Sequence, residues 1–338
     1  MPKRFHFLNV ANGDCAVIEH ATGHVTVVDV NNAKAVAPKS VAEAILDDFL
    51  EKATPGNFRQ KDNPVNPIEY LRARGITDVF RFVLTHPDMD HMGGLRDFFE
   101  AYPPTNFWDT DNNEEKYLSK AATYSGDDWH FYESLRDPLR TGGPNRLVLA
   151  AGAQGKFFNV GADGASGGDG LHVLAPTPRL TAAANDSGDN NDHSYVLLYR
   201  AACGGKILLA GDSHDATWEY ILANHRADVS DVDLLIAPHH GRKSGRCYDF
   251  LDVLRPRLTL FGNAPSEHLA YDAWNTRGLV FITNNQAGSV IVDLETRSMP
   301  VFVTNRAYAV ALDPSSAYSD EYKGYHVGNI FVEKRVVA

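Results

Sequence analysis

Residues 83–94 read Val-Leu-Thr-His-Pro-Asp-Met-Asp-His-Met-Gly-Gly, and we predict that the rest of the chain is organised around them. The apolar run at residues 80–84 is typical of a buried strand, and the glycine pair leads into a pattern typical of a helix. Four side chains that can bind a metal ion lie between them, within six positions: His86, Asp88, Asp90 and His91. Imidazole and carboxylate together suit Zn, Mn or Fe, and additional carboxylates move the preference towards Mn or Mg.

An ordinary connecting loop is the alternative interpretation of this stretch. Proline and aspartate are common turn formers, so a simple loop accounts for Pro87 and Asp88. It does not account for two histidines and two aspartates packed together at the end of a strand. We therefore favour a metal site.

The same stretch resembles the His-x-His-x-Asp-His signature of the metallo-β-lactamase fold, with Asp88 in place of the second histidine. The pattern Thr-His-Pro-Asp-x-Asp-His-x-Gly-Gly is similar to that of the soluble hydrolase domain of the ComEC/Rec2 competence proteins. The resemblance implies an α/β fold, a four-layer αβ/βα sandwich of two mixed β-sheets, with metals at one edge between the sheets. We expect a hydrolase domain over residues 1–305 with inserted loops at about 105–170. Residues 306–338 would form a C-terminal extension that packs on the body or on a partner.

Three predicted strands open the chain, at residues 5–10, 15–19 and 25–30, with a hairpin turn at Asn-Gly-Asp 12–14. The third strand contains Asp29, where the resemblance implies a structural aspartate; a surface hairpin is the alternative. Helical spacing follows at residues 40–52, then a polar loop at 53–66 and a helix at 67–74. Further helices are expected within 113–138.

A second set of candidate ligands follows later strands. The strand at residues 206–210 ends in Gly-Asp, and the resemblance implies that Asp212 bridges two metals, since a carboxylate can span cations roughly 3.5 to 4 Å apart. Capping of the next helix is the alternative. Pro-His-His-Gly at 238–241 is a further match, in which one of His239 and His240 completes a metal site and the other donates a hydrogen bond or acts as general acid. The sequence leaves that choice open.

One expected histidine is absent. The resemblance places a histidine four residues before Ser194, but this position holds Asn190. His193 lies nearby at a different spacing, so both are candidate metal or substrate contacts. With Asp88 and Asn190 in place of imidazoles, we predict one or two divalent ions (Zn, Mn or Mg), and a harder metal at the first position.

Composition and charge limit the cellular location and the partners that we expect. The chain has 338 residues and a formal net charge of −11, which disfavours long-range capture of DNA or RNA. It contains no apolar run of about 18 residues and no signal-peptide core, so we expect no membrane span. Three widely spaced cysteines predict no disulfide framework and a cytoplasmic location.

Two cations, Arg242 and Lys243, follow the histidine pair directly. Cations beside a metal site in an acidic protein predict an anionic substrate, such as a phosphodiester in DNA, RNA or a nucleotide. A solvated basic loop is the alternative. A homodimer is a candidate assembly.

The predicted function is metal-dependent hydrolysis by a phosphodiesterase or nuclease that uses a metal-bound hydroxide. Asp88 and Asp90 are candidate acceptors of the water proton, and His240 is a third candidate catalytic residue. The alternatives are a hydrolase of another ester class (lactone, thioester or phosphocholine ester) and a binding or partner protein with a degenerate site.

Overall fold

A computed structural model describes the protein over residues 2–34, 58–116, 125–161, 163–165, 167–264 and 266–333. The helix predicted at residues 40–52 and the first part of the loop predicted at 53–66 lie outside these residues. Within the segment 113–138, the described part contains one helix, Gly126–Arg136.

The strands are numbered β1 to β16 in chain order: Arg4–Phe7, Ala16–Glu19, Val25–Val28, Arg81–Val83, Asn106–Asp109, Asn145–Val148, Leu171–Ala175, Val196–Arg200, Lys206–Leu209, Leu234–Ile236, Leu258–Phe261, Phe281–Thr283, Val290–Asp293, Ser298–Val303, Tyr318–Ser319 and Gly324–Phe331. The α-helices are α1 to α10: Pro67–Ala73, Leu95–Ala101, Gly126–Arg136, Pro178–Ser187, Asp215–Asn224, Arg226–Val229, Leu251–Leu254, Tyr271–Asn275, Asn284–Ala287 and Arg306–Leu312. Short 3₁₀ helices lie at Gln60–Asp62, Met89–His91, Asn190–His193, Pro238–Gly241 and Ser266–His268.

The strands form two mixed sheets. The first has the order β15-β16-β14-β13-β1-β2-β3-β4-β5-β6, and the second has the order β12-β11-β10-β9-β8-β7. In both sheets an antiparallel meander (β1 to β3, β7 to β9) continues into parallel strands (β3 to β6, β9 to β12). The two halves therefore repeat one pattern, and the predicted α/β fold with two mixed sheets is confirmed.

Side-chain alternation along the strands divides the interior into three apolar cores. On β8, Leu197 and Tyr199 belong to the central core between the sheets, whereas Val196 and Leu198 face helices that include Trp218 of α5. The outer face of the first sheet packs in the same way on α1, α2 and α3. Because successive residues of a strand point to opposite faces, each sheet is covered on both sides. The layer order is helix, sheet, sheet, helix, as predicted.

Several strands are shorter than the sequence pattern predicts, because the chain leaves the sheet to build loops at one edge. The third predicted strand, residues 25–30, stops at Val28, where Asp29 takes a left-handed conformation with φ of 56°. The strand predicted at 80–84 stops at Val83. These exits bring the ends of β3, β4, β9 and β10 to the same edge of the sandwich, where the candidate ligands lie.

The described residues after 305 join the first sheet. β16 pairs with β14, and the Tyr322 ring stacks on Phe302 at 4.0 Å between centroids. The Tyr322 hydroxyl donates a hydrogen bond to Asp293 of β13. None of the helices among the described residues has the length and apolar character needed to cross a membrane.

A buried ion pair connects the first sheet with the segment that enters the second. The Arg81 side chain on β4 is 2% exposed, and its Nη2 lies 2.9 Å from Asp169 Oδ2 just before β7. Asp169 also accepts hydrogen bonds from Thr22 and His24 in the turn between β2 and β3. Arg81 in turn donates to Thr26 Oγ1 at 2.9 Å. Each buried charge is thus paired and hydrogen-bonded.

We expect Arg81→Met to lower the free energy of unfolding by about 3–5 kcal/mol, because it leaves Asp169 buried without its main cation. The matched control is Arg72→Met, which removes an exposed pair with Glu69 and should cost under about 1 kcal/mol. Urea denaturation of both variants measures the difference. Equal, small losses would show that the buried pair contributes little.

Candidate metal centre

Loops that follow four strands build the centre and are tied together by backbone hydrogen bonds. The Tyr195 N–H donates to the Thr85 carbonyl at 3.0 Å, which connects the two sheets. The His239 N–H donates to the Gly211 carbonyl at 2.9 Å, and the Val30 N–H donates to the His91 carbonyl at 3.0 Å. The side chains of these loops are therefore presented by a fixed backbone.

Asp29 organises the first loop. Its Oδ1 accepts a hydrogen bond from the Thr85 N–H at 2.7 Å, and its Oδ2 accepts one from the Thr85 hydroxyl at 2.7 Å. Oδ2 also lies 2.8 Å from His91 Nδ1. A carboxylate accepts and does not donate, so His91 carries a proton on Nδ1 and directs Nε2 away from Asp29.

Two more histidines are oriented in the same way. The Thr85 hydroxyl donates its hydrogen bond to Asp29. The hydroxyl oxygen therefore accepts a hydrogen bond from His86 Nδ1, at 3.1 Å. His240 Nδ1 lies 2.9 Å from Asp14 Oδ1. In the neutral rings, the Nε2 lone pairs of all three histidines are then available on the inner side, which is the arrangement in which imidazole binds a metal.

These Nε2 atoms converge on Asp212 and Asp90. His91 Nε2 lies 3.3 Å from Asp212 Oδ1, and His240 Nε2 lies 3.4 Å from Asp90 Oδ2 and 3.8 Å from Asp212 Oδ2. Four donors at about 2.0–2.2 Å from one centre lie about 3.3–3.6 Å apart in tetrahedral geometry. Asp90, His91 and His240 therefore form a set that can share one metal ion, with Asp212 beside them.

His86 stands on the other side of Asp212, with its Nε2 3.8 Å from Asp212 Oδ2. Two sets of ligand atoms, each within 4.8 Å of one another, share His91: His86 with His91 and Asp212, and Asp90 with His91 and His240. Asp212 thus lies between the two sides of the centre, the position in which a carboxylate can bridge.

Unsatisfied polar atoms at the centre suit a bound cation. Nε2 of His86, His91 and His240 and Oδ1 of Asp212 are buried and have no hydrogen-bond partner among the described residues. Burying polar atoms without partners is costly. A divalent ion would satisfy Nε2 of His91 and His240 and Oδ1 of Asp212 at once, so the residues present fit a metal.

The charges agree with this assignment. Burial alone would raise the pKa of Asp212, yet His91, His240 and His86 hold it well below its usual range. Burial opposes charge on His240, but Asp14 and Asp212 outweigh it and raise its pKa to about 10. The carboxylates therefore create a strongly negative pocket that favours positive charge.

His239 has a different role from its neighbour. Its Nε2 lies 3.6 Å from Asp212 Oδ2, and its Nδ1 lies 3.0 Å from Arg246 Nη2. Arginine can only donate, so Nδ1 accepts and the neutral ring carries its proton on Nε2. Burial, reinforced by the positive charges of His240 and Arg246, lowers the pKa of His239 to about 4. His240 thus offers its Nε2 to the centre when a metal ion replaces the proton there, whereas His239 presents an N–H.

Other predicted residues lie at the rim. Asp88 and Asp90 are partly open to solvent, with side chains 32% and 26% exposed. Asp88 Oδ2 is 3.6 Å from His86 Nε2, but Asp88 belongs to neither set of converging ligand atoms among the described residues. Arg242 is half-buried and Lys243 is exposed, in the loop that carries the histidine pair.

Asn190 and His193 lie in the same short 3₁₀ helix. His193 is fully buried, and neither of its ring nitrogens has a hydrogen-bond partner among the described residues. Asn190 is half-buried, and its side chain makes no hydrogen bond to any other described residue. A third, partly exposed set comprises Asp189, Asp192 and His214.

The sequence interpretation missed Asp14, which it took only as a hairpin turn. Gly13 offers the signal, since its φ is 100° and a Cβ there would lie 1.9 Å from the Asp90 carbonyl oxygen. A glycine is therefore required where this turn packs against the metal loop. The same contact places Asp14 beside His240.

No protein-family profile matches the chain. A curated relative, Recombination protein 2 of Haemophilus influenzae, is 24% identical over 244 residues, which are 72% of this chain and 24% of that protein. The chain thus spans about a quarter of the relative's length.

Solved structures with similar architecture include the metallo-β-lactamase-fold protein YhfI of Bacillus subtilis (9% identity, 83% of this chain and 96% of that one, TM-score 0.41). They also include CmlA, a diiron β-hydroxylase of Streptomyces venezuelae (10% identity, 87% of this chain and 54% of that one, TM-score 0.48). A third is a diphosphatase of the PhnP family (13% identity, 83% of this chain and 95% of that one, TM-score 0.40). At these values the likeness concerns architecture alone. The resemblance predicted from the sequence is confirmed: the chain is similar in architecture to metallo-β-lactamase-fold proteins and in sequence to Recombination protein 2.

Proposed function

We propose that this protein is a metal-dependent phosphodiesterase that acts on a nucleic acid or nucleotide. The observation that carries the proposal is the convergence of unsatisfied histidine Nε2 atoms on Asp212 at an open edge of the sandwich. Residues 1–305 would form the hydrolase unit, and residues 306–338 an extension on its first sheet.

The distances support a set of proposed ligands. Asp90, His91, Asp212 and His240 would hold one divalent ion, and His86 would face it across Asp212. When bound, such an ion lowers the pKa of a water towards about 7 and acts as a Lewis acid. Oxygen and nitrogen donors without thiolate are compatible with Mn or Zn.

The chain's own side chains supply the rest of the chemistry. Asp88 and Asp90 line the open side and are placed to accept hydrogen bonds from the attacking water. The His239 Nε2–H is placed to donate a hydrogen bond to an oxygen of the substrate. Arg246 holds His239 in this orientation by donating to its Nδ1 and to the Ser213 carbonyl.

An anionic substrate is supported by local charge. The chain is acidic overall, yet Lys116 contacts Asp88, Arg246 contacts His239, and Arg242 and Lys243 lie in the loop that carries the histidine pair. Such a local patch attracts phosphate where the net charge does not. The similarity to a protein named for recombination supports nucleic acid as the source of that phosphate.

The central test is hydrolysis of bis(p-nitrophenyl) phosphate and of single- and double-stranded DNA with Mn, Mg or Zn. We expect the metal-loaded protein to be active, and Asp212→Asn to lose both bound metal and activity because it removes the charge shared by the two sides. Asp228→Asn, which alters an exposed pair with Arg200, should change neither. Full activity and metal content in Asp212→Asn would overturn the proposal.

A second prediction concerns Asp14. Asp14→Ala should weaken Mn binding about 10- to 100-fold, because His240 loses the carboxylate that orients its ring. Isothermal titration of the metal-stripped protein measures the affinity, with Asp78→Ala, an exposed aspartate in a loop before β4, as control. An unchanged affinity in Asp14→Ala would exclude this positioning role.

A further inference from the structure

Asp88 already has a cationic partner. Its Oδ1 accepts a hydrogen bond from Lys116 Nζ at 2.7 Å, the shortest polar contact made by either side chain of the pair. Its other oxygen, Oδ2, faces His86 Nε2 at 3.6 Å. One face of this carboxylate is therefore neutralised by an ammonium group, and the other is turned towards the centre.

Lys116 is held in this position by its surroundings. Glu114 Oε1 lies 3.3 Å from its Nζ, and the Trp129 ring of α3 lies 5.7 Å from Nζ at the centroid. The lysine side chain is 17% exposed, in the segment after β5. A surface lysine usually stays in water, whereas this one is brought to the rim of the centre by two carboxylates and an aromatic face.

The side of the centre next to Lys116 also lacks a histidine that the resemblance predicts. Asn190 stands where the resemblance predicts a histidine, and the buried His193 nearby belongs to neither set of converging ligand atoms among the described residues. Asp88 belongs to neither set of converging ligand atoms. A divalent ion placed between His86 and Asp88 would also be repelled by the ammonium group bound to the same carboxylate.

We infer that Lys116 is the second cation of this centre, so that the chain binds one divalent ion, held by Asp90, His91, Asp212 and His240. Lys116 neutralises Asp88 and contacts a non-bridging oxygen of the phosphodiester, a task for which a lysine ammonium is suited as a point charge. His86 and Asp88 then hold the attacking water between them. The substrate contact rests on the proposed function, whereas the metal count does not.

Titration of the metal-stripped wild-type protein with Mn tests the metal count directly. We expect one ion per chain. We expect Lys116→Met to bind a second, weaker ion, because the variant releases Asp88 for a metal, and Lys116→Arg to keep one. Two ions of similar affinity in the wild type would overturn the inference, and so would a count of one in Lys116→Met.

The substrate contact is tested by the dependence of hydrolysis on Mn. With one equivalent of Mn, Lys116→Met should lose between about 10- and 100-fold in kcat/KM on bis(p-nitrophenyl) phosphate, as expected when one fixed electrostatic contact is removed. Excess Mn should restore the kcat/KM of Lys116→Met, whereas it should change the kcat/KM of the wild type and of Lys116→Arg little. The control is Lys323→Met, which removes an exposed lysine beside Asp320 in the C-terminal hairpin.

The outcomes separate the two proposals. If the wild type hydrolyses no phosphodiester with any metal but binds one Mn, and Lys116→Met binds two, the proposed function fails and the metal count stands. If the wild type is active and Lys116→Met keeps its kcat/KM at one equivalent of Mn, the inference fails and the proposed function stands. Circular dichroism of each variant shows whether it is folded.

Discussion

The contacts that two carboxylates and a threonine hydroxyl make with histidine Nδ1 atoms are the interactions on which the centre depends. Asp29 fixes His91, and Asp14 lies against His240. Thr85, which is itself bound to Asp29, accepts a hydrogen bond from His86. Each of these contacts occupies one ring nitrogen and leaves the other facing Asp212. Without them the rings would rotate or bind their protons on the inner side, and the donors would no longer converge.

The sandwich supports this arrangement by bringing strand ends together. Each sheet passes from an antiparallel meander into parallel strands, and the loops that leave β3, β4, β9 and β10 meet at one edge. Backbone bonds such as that from Tyr195 to Thr85 fix the loops across the two sheets. Apolar cores pack against both faces of each sheet and hold the strands in place. The distances between those loops therefore depend on the packing of the whole fold.

Much of this could be predicted because the motifs are local. The stretch at residues 83–94, the Gly-Asp at the end of β9 and the pair His239-His240 each place ligand types at a strand end, and strand ends of one fold meet. The choice between the two histidines could not be predicted. Both have left-handed backbone conformations, with φ of 51° and 57°, which turn the adjacent rings towards different partners. Asp14 and Lys116 were missed as well, because their partners lie far away in sequence.

The contact between Asp14 and His240 joins a turn near the start of the chain to a loop that follows the tenth strand. During synthesis, the first of these segments leaves the ribosome long before the second. A nascent chain that ends before β10 lacks His239 and His240, so its first half presents only an incomplete set of donors. Under the proposed function, a cation would therefore be bound by the finished protein, after both halves have docked, rather than by a folding intermediate.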